Sequence, residues 1–181
     1  MTLIYIFIKL KLTNILFNIS NMKNILLIRH GKSNSDSLLK DIDRSINKKG
    51  IENSYAIANL YKLHFNNSIQ ISSSPAQRTI QTANIFLNVW KINPNSISII
   101  PSLYTFNLTE LEEIVKSCSN HYQTVIIFGH NSAITDFVNK FGNVFIDKVS
   151  TSGLVSILFE TDNWKFISKG TTNKILFPSQ L

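Results

Sequence analysis

Three short stretches of the chain concentrate side chains capable of polar chemistry: Arg29-His30-Gly31, Ser74-Pro75 followed by Arg78, and Gly129-His130-Asn131. Arginine presents a planar fork that matches phosphoryl oxygens and stays charged at any usable pH. A histidine neutral at one nitrogen is a nucleophile. Arginines beside such a ring disfavour its protonation, which suits attack on phosphorus. A second histidine, if cationic, stabilises the charge on the phosphoryl oxygens during transfer. Gly31 lets the backbone turn sharply and lets a ligand approach without meeting a Cβ.

Rival chemistries fit less well. A metal site needs His, Cys, Asp or Glu ligands at recognisable spacing. The chain has no His-x-x-x-His or Cys-x-x-Cys, and two arginines repel a divalent cation. No Gly-x-Ser-x-Gly elbow supports a serine nucleophile. Neither a metal nor another cofactor is expected.

These residues need rigid elements behind them. Ile25 to Ile28 is an apolar run that reads as a strand buried on both faces, ending directly in Arg29-His30. Gln123 to Phe128 repeats that arrangement before Gly129-His130, and the spacing predicts a helix over Ser132–Phe141. Between them, Lys32 to Asp43 is a polar loop. Apolar spacing then predicts a helix over 48–64, with His64 at its carboxyl end. A strand over Ser68–Ser72 leads to Ser74, which can cap a helix whose first residue is Pro75. Arg78 falls in that helix's first turn, where a cation opposes the dipole unless it shares an anion with the free backbone N–H groups. A strand over Ser96–Ile100, a helix over Leu108–Ser117 and an exposed His121 follow. The chain closes with a hairpin of Ser152–Glu160 and Trp164–Ser168. Strands alternating with helices imply a three-layer α/β/α domain with a mostly parallel sheet, whose ligands bind at the carboxyl ends of the strands. His30, Arg78 and His130 should therefore converge.

The chain has 181 residues and a formal charge of +7, of which Lys9 and Lys11 supply two. The remaining excess favours anionic substrates or an acidic partner. No basic block or aromatic-basic ladder supports nucleic-acid binding. The lone Cys118 excludes an internal disulfide framework and fits a reducing, cytoplasmic compartment. Residues 1–21 are apolar but split by Lys9 and Lys11 into runs too short to span a bilayer. They also lack a basic leader and a cleavage site. They read as an extension, with translation starting at Met22 or the segment loosely attached. The domain is 22–181, with no stable membrane association expected.

Together these motifs resemble the histidine phosphatase superfamily, the phosphoglycerate mutase-like fold, and within it the short bacterial phosphohistidine phosphatases. Asp43-Arg44, Asn47-Lys48-Lys49-Gly50, Gln81-Thr82-Ala83 and Leu176-Phe177-Pro178 add to the likeness, which runs from about Met22 to Pro178. The resemblance implies that His30 is the nucleophile and becomes phosphorylated. Arg29, Arg78 and His130 would form the phosphate pocket, with Gly31 and Asn131 in the substrate-binding set. Many superfamily members carry a glutamate general acid where this chain has Leu103–Leu108, yet no acid occurs between Pro101 and Thr109. That disfavours alkoxide leaving groups, which need a proton, and favours phosphohistidine, which departs as imidazole. Asp36 and Asp43 are the candidates for a substitute acid. The expected activity is a metal-independent phosphatase acting on phosphohistidine in a signalling or phosphotransfer protein. The alternatives are a phosphatase of small phosphate esters and a non-catalytic phosphate-binding module. A mutase is disfavoured, because no long insertion encloses a bisphosphate.

Overall fold

A computed structural model describes residues 22–34, 39–61, 63 and 68–181. Residues 1–21, Asp36 and His64 lie outside the described residues. Six strands form one sheet in the order β3-β2-β4-β1-β5-β6. They are β1 (Lys23–Arg29), β2 (Ile69–Ser73), β3 (Ile97–Ile99), β4 (Thr124–Gly129), β5 (Leu154–Phe159) and β6 (Thr171–Leu176). Strands β3, β2, β4 and β1 are mutually parallel, while β5 runs antiparallel to both β1 and β6.

The helices are α1 (Lys48–Leu60), α2 (Gln77–Trp90), α3 (Leu108–Lys116) and α4 (Ala133–Phe141). Alternating residues of the central strands feed two cores. Leu26, Ile28, Ile126 and Phe128 pack with Ile57 of α1 and with Ala83, Phe86 and Leu87 of α2. Ile25, Leu27, Val125 and Ile127 meet Leu111 and Val115 of α3 and Ile134 and Phe137 of α4. Each such side chain buried fully stabilises the fold by roughly 1.5–3 kcal/mol. The result is the three-layer α/β/α architecture expected for buried parallel strands. Among the described residues no helix is long and apolar enough to cross a membrane.

Two local expectations are corrected. The closing hairpin does not pair Trp164–Ser168 with β5. Trp164–Phe166 is a 3-10 turn, and β6 begins only at Thr171. Trp164 is fully buried, and its indole N–H donates to the Tyr122 carbonyl at 2.9 Å. An aromatic plug for the core therefore replaced strand pairing. The first strand of the hairpin is shorter too, because Ser152 takes a left-handed φ of 62°. The second correction concerns α2, which begins at Gln77 with Ala76 as the residue before it, not at Pro75. The Ser74 hydroxyl is shared between His130 and the Ala76 N–H, the latter at 3.3 Å, so it serves the approach to the helix while bracing the site.

Candidate active site

Neighbouring strands β2, β4 and β1 end at one sheet edge. Register sets Ser73 beside Phe128, and Arg29 beside Gly129. The ladder continues one step further, with the His30 N–H donating to the Gly129 carbonyl at 3.1 Å and the Ser74 N–H to the Phe128 carbonyl at 3.1 Å. Topology alone thus carries His30, His130 and Ser74 to one place, and the first turn of α2 adds Arg78. The rings of His30 and His130 stand with centroids 5.3 Å apart.

His30 Nδ1 lies 2.8 Å from the Gly31 carbonyl oxygen. A carbonyl only accepts, so Nδ1 carries the proton and Nε2 the lone pair. Burial lowers the pKa of His30 to about 4, reinforced by Arg78, Arg29 and Arg44 against the opposing hydrogen bond to Gly31. The ring is neutral at physiological pH and nucleophilic at Nε2.

Arg78 is 1% exposed. Its Nη1 donates to the Asp41 carbonyl, and its Nη2 donates to the Asp41 carboxylate at 2.7 Å. Nη2 also stands 3.4 Å from His130 Nδ1. His130 must accept there, so its proton sits on Nε2 and is donated to the Ser74 hydroxyl at 2.8 Å. Burial, with His30 and Arg78 nearby, pushes the pKa of His130 down to about 3. Both of its nitrogens are committed in a way that fits the neutral ring, so the cationic form considered for phosphoryl stabilisation is not the one this geometry holds. Arg29 donates Nη1 to the Val149 carbonyl at 2.8 Å. Nε of Arg29 and Nε of Arg78 are buried without a protein partner among the described residues, so each retains a donor for an anion.

Gly31 packs against α1 and α2. Its N–H donates to the Thr82 hydroxyl at 2.8 Å, and an added Cβ would meet the Gly50 carbonyl and the Ser54 hydroxyl at 3.1 Å. No described glycine has a positive φ, so Gly31 does not use the left-handed conformation open to glycine. Gly31 instead seats the His30 backbone against α1. The Asn131 amide donates to the Val149 carbonyl at 3.0 Å, the same oxygen that Arg29 uses. Asn131 thereby braces the arginine's anchor.

The carboxylate that enters the site is Asp41, two residues before Asp43 and not distinguished from it by any sequence pattern. Asp43 is exposed in the same 3-10 turn. Asp41 accepts from Arg78, from Arg44 and from the Tyr104 hydroxyl, the last at 2.6 Å. Burial tends to raise its pKa, but the bonds from Tyr104 and Arg78 and the two guanidinium charges outweigh this and hold it at about 2. An aspartate so held is ionised, and is a poor proton donor. Tyr104 and Phe106 complete the wall, each with its ring centroid 5.3 Å from that of His130. The segment Leu103–Leu108 thus supplies aromatic rings where an acid was sought. Cys118 takes no part, burial pushing its thiol up to about 11. Among the described residues no cluster of three His, Cys, Asp or Glu suits a metal ion.

Residues 25–116, just over half of the chain, match the family model of the histidine phosphatase superfamily (branch 1), and the chain belongs to that superfamily. No curated protein matches it. Among solved structures it is similar to the protein histidine phosphatase SixA complexed with tungstate, at 20% identity and a TM-score of 0.70, covering 87% of this chain and 98% of the other. A protein provisionally named phosphohistidine phosphatase SixA, from Agrobacterium tumefaciens, aligns at 21% identity and a TM-score of 0.69, over 85% and 97% of the two chains. A phosphoglycerate mutase from Bacillus anthracis aligns at 16% identity and a TM-score of 0.58, over 90% and 96%. These likenesses show a phosphoglycerate mutase-like fold.

Proposed function

We propose that this protein is a phosphatase that forms a covalent intermediate on His30, and that its substrate is phosphohistidine carried by a cytoplasmic protein. The observation that carries this is the fixed tautomer of His30, with Nδ1–H spent on the Gly31 carbonyl and Nε2 free to attack. In the first step His30 Nε2 bonds to phosphorus as the substrate's N–P bond breaks. The leaving imidazole keeps the electron pair and, protonated at its other nitrogen, departs neutral. Arg29 and Arg78 hold the phosphoryl oxygens. In the second step water attacks phosphorus, the bond to His30 breaks and inorganic phosphate leaves.

The lack of a proton donor at the pocket among the described residues favours this substrate class. Asp41 is ionised, and no acid lies between Pro101 and Thr109. An alkoxide leaving group would need the proton that neither supplies. The charge excess of the chain adds to the reading, since it speeds encounter with an acidic partner and weakens with salt. The test compares turnover of a phosphohistidine peptide and a sugar phosphate at matched concentration. Preference for the phosphohistidine peptide by about 10²-fold or more is expected, the scale of general-acid assistance. Comparable rates would instead support a phosphatase of small esters, and no turnover of either would support a binding module.

A further inference from the structure

We infer that Phe106 is a stacking platform for an aromatic leaving group, making this loop a specificity determinant for ring-bearing phosphoryl compounds. The inference rests on the phosphatase reading and adds to it a residue that selects the leaving group.

Phe106 is 48% exposed, although its ring is only 5.3 Å from the ring of the almost fully buried His130. It thus stands at the rim of the site with one face against the protein and one open. The neighbouring Tyr104 is fixed edge-on, at 86° to His130 and 70° to Phe106, with its hydroxyl tied to Asp41 at 2.6 Å. Tyr104 is therefore a rigid buttress. The backbone of Phe106 is held in turn, its carbonyl accepting from the Ser132 hydroxyl at 2.9 Å, at the start of the loop into α4. The next residue, Asn107, caps α3 through the N–H groups of Thr109 and Glu110. An aromatic side chain pinned on both sides and open on one face loses little entropy when another ring packs on it.

In-line displacement places the leaving group on the side of phosphorus opposite His30, toward the rim. A ring departing there meets the open face of Phe106. An imidazole or phenyl ring gains offset or edge-to-face contact, whereas a compact acyl or alkyl group gains little.

The experiment uses the full chain with three phosphoryl donors: phosphoimidazole, phenyl phosphate and acetyl phosphate. Acetyl phosphate has a good leaving group and no ring, so it separates ring recognition from leaving-group ability. Phe106→Leu keeps an apolar side chain at an exposed position and removes the aromatic face. Its kcat/KM should fall about three- to tenfold more on the two ring-bearing donors than on acetyl phosphate, the range of an aromatic contact. Phe106→Tyr should restore the ring-bearing rates. Equal losses on all three donors, or none on any, would overturn the inference, as would a native protein that turns over neither ring-bearing donor. If phenyl phosphate turnover depends on Phe106 while phosphoimidazole is not turned over, the platform stands and the phosphohistidine reading falls.

Discussion

His30 and His130 face each other with ring centroids 5.3 Å apart, at the ends of adjacent parallel strands, and their ring nitrogens are polarised differently. His30 donates from Nδ1 to its own main chain, while His130 accepts at Nδ1 from Arg78. One ring is thereby left with a free lone pair, and the other is locked into the wall.

Removing the nucleophile should separate chemistry from binding. His30→Ala should reduce turnover by about 10³-fold or more. Vanadate or phosphate affinity should fall far less, because the arginine donors remain. Isothermal titration beside steady-state kinetics checks this, and retained turnover would mean that another group attacks.

The depressed histidine pKa values set a pH profile. The acid limb of kcat/KM should lie near the His30 value of about 4, not near the ordinary 6.5, with no histidine-linked loss between pH 5 and 8. The same shift bears on stability. A histidine kept neutral in the fold but protonated in the unfolded chain favours folding above about pH 6.5, and that contribution is lost as pH falls toward 4. Activity profiles and thermal melts across pH 3–8 read both effects.

Asp41→Asn should act in two ways. The carboxylate competes with a phosphoryl group for Arg78, so phosphate should inhibit the variant more tightly, by about threefold or more. Asp41 is ionised well below the usual carboxylate range, so its stabilising contribution is present above about pH 4 and lost as pH falls through about 2. The variant should lose that part of the acid dependence, which melts between pH 2 and 4 would reveal. Unchanged phosphate inhibition would show that Arg78 is not shared between the two.

Gly50, in the first turn of α1, abuts the main chain of Lys32, two residues after His30. A Cβ there would clash with the Lys32 carbonyl oxygen and meet the Lys32 nitrogen at 2.8 Å, both rigid main-chain atoms. Gly50→Ala should destabilise the fold by about 1–3 kcal/mol and lower kcat by displacing His30-Gly31-Lys32. Urea denaturation with activity measured on the folded variant tests this, and a neutral substitution would show that the segment yields freely.

The fold and the meeting of His30, Arg78 and His130 were legible because fully apolar strands ending in cations and imidazoles have few structural reasons to exist. Parallel topology then leaves those residues one edge to share. Asp41, Tyr104 and the Ser74–His130 bond were not legible. They join loops 56 to 63 positions apart through single side chains, and no periodicity records such contacts. Asp43 and Asp41 are equivalent in sequence, and only the course of the 3-10 turn decides which one reaches Arg78. The misplaced final strand has a similar origin: Trp164-Lys165-Phe166 has the composition of a strand, and burial of the indole alone turns it into a plug.

The most direct measurement is rapid quenching into alkali during turnover of phosphoimidazole or a phosphohistidine peptide, followed by mass spectrometry of the peptide containing His30. A phosphoryl group on His30 that forms within the first turnover, is stable in alkali, is lost in acid and is absent from His30→Ala is the predicted result. Turnover with no label on His30, or with the label on another residue, would contradict the account.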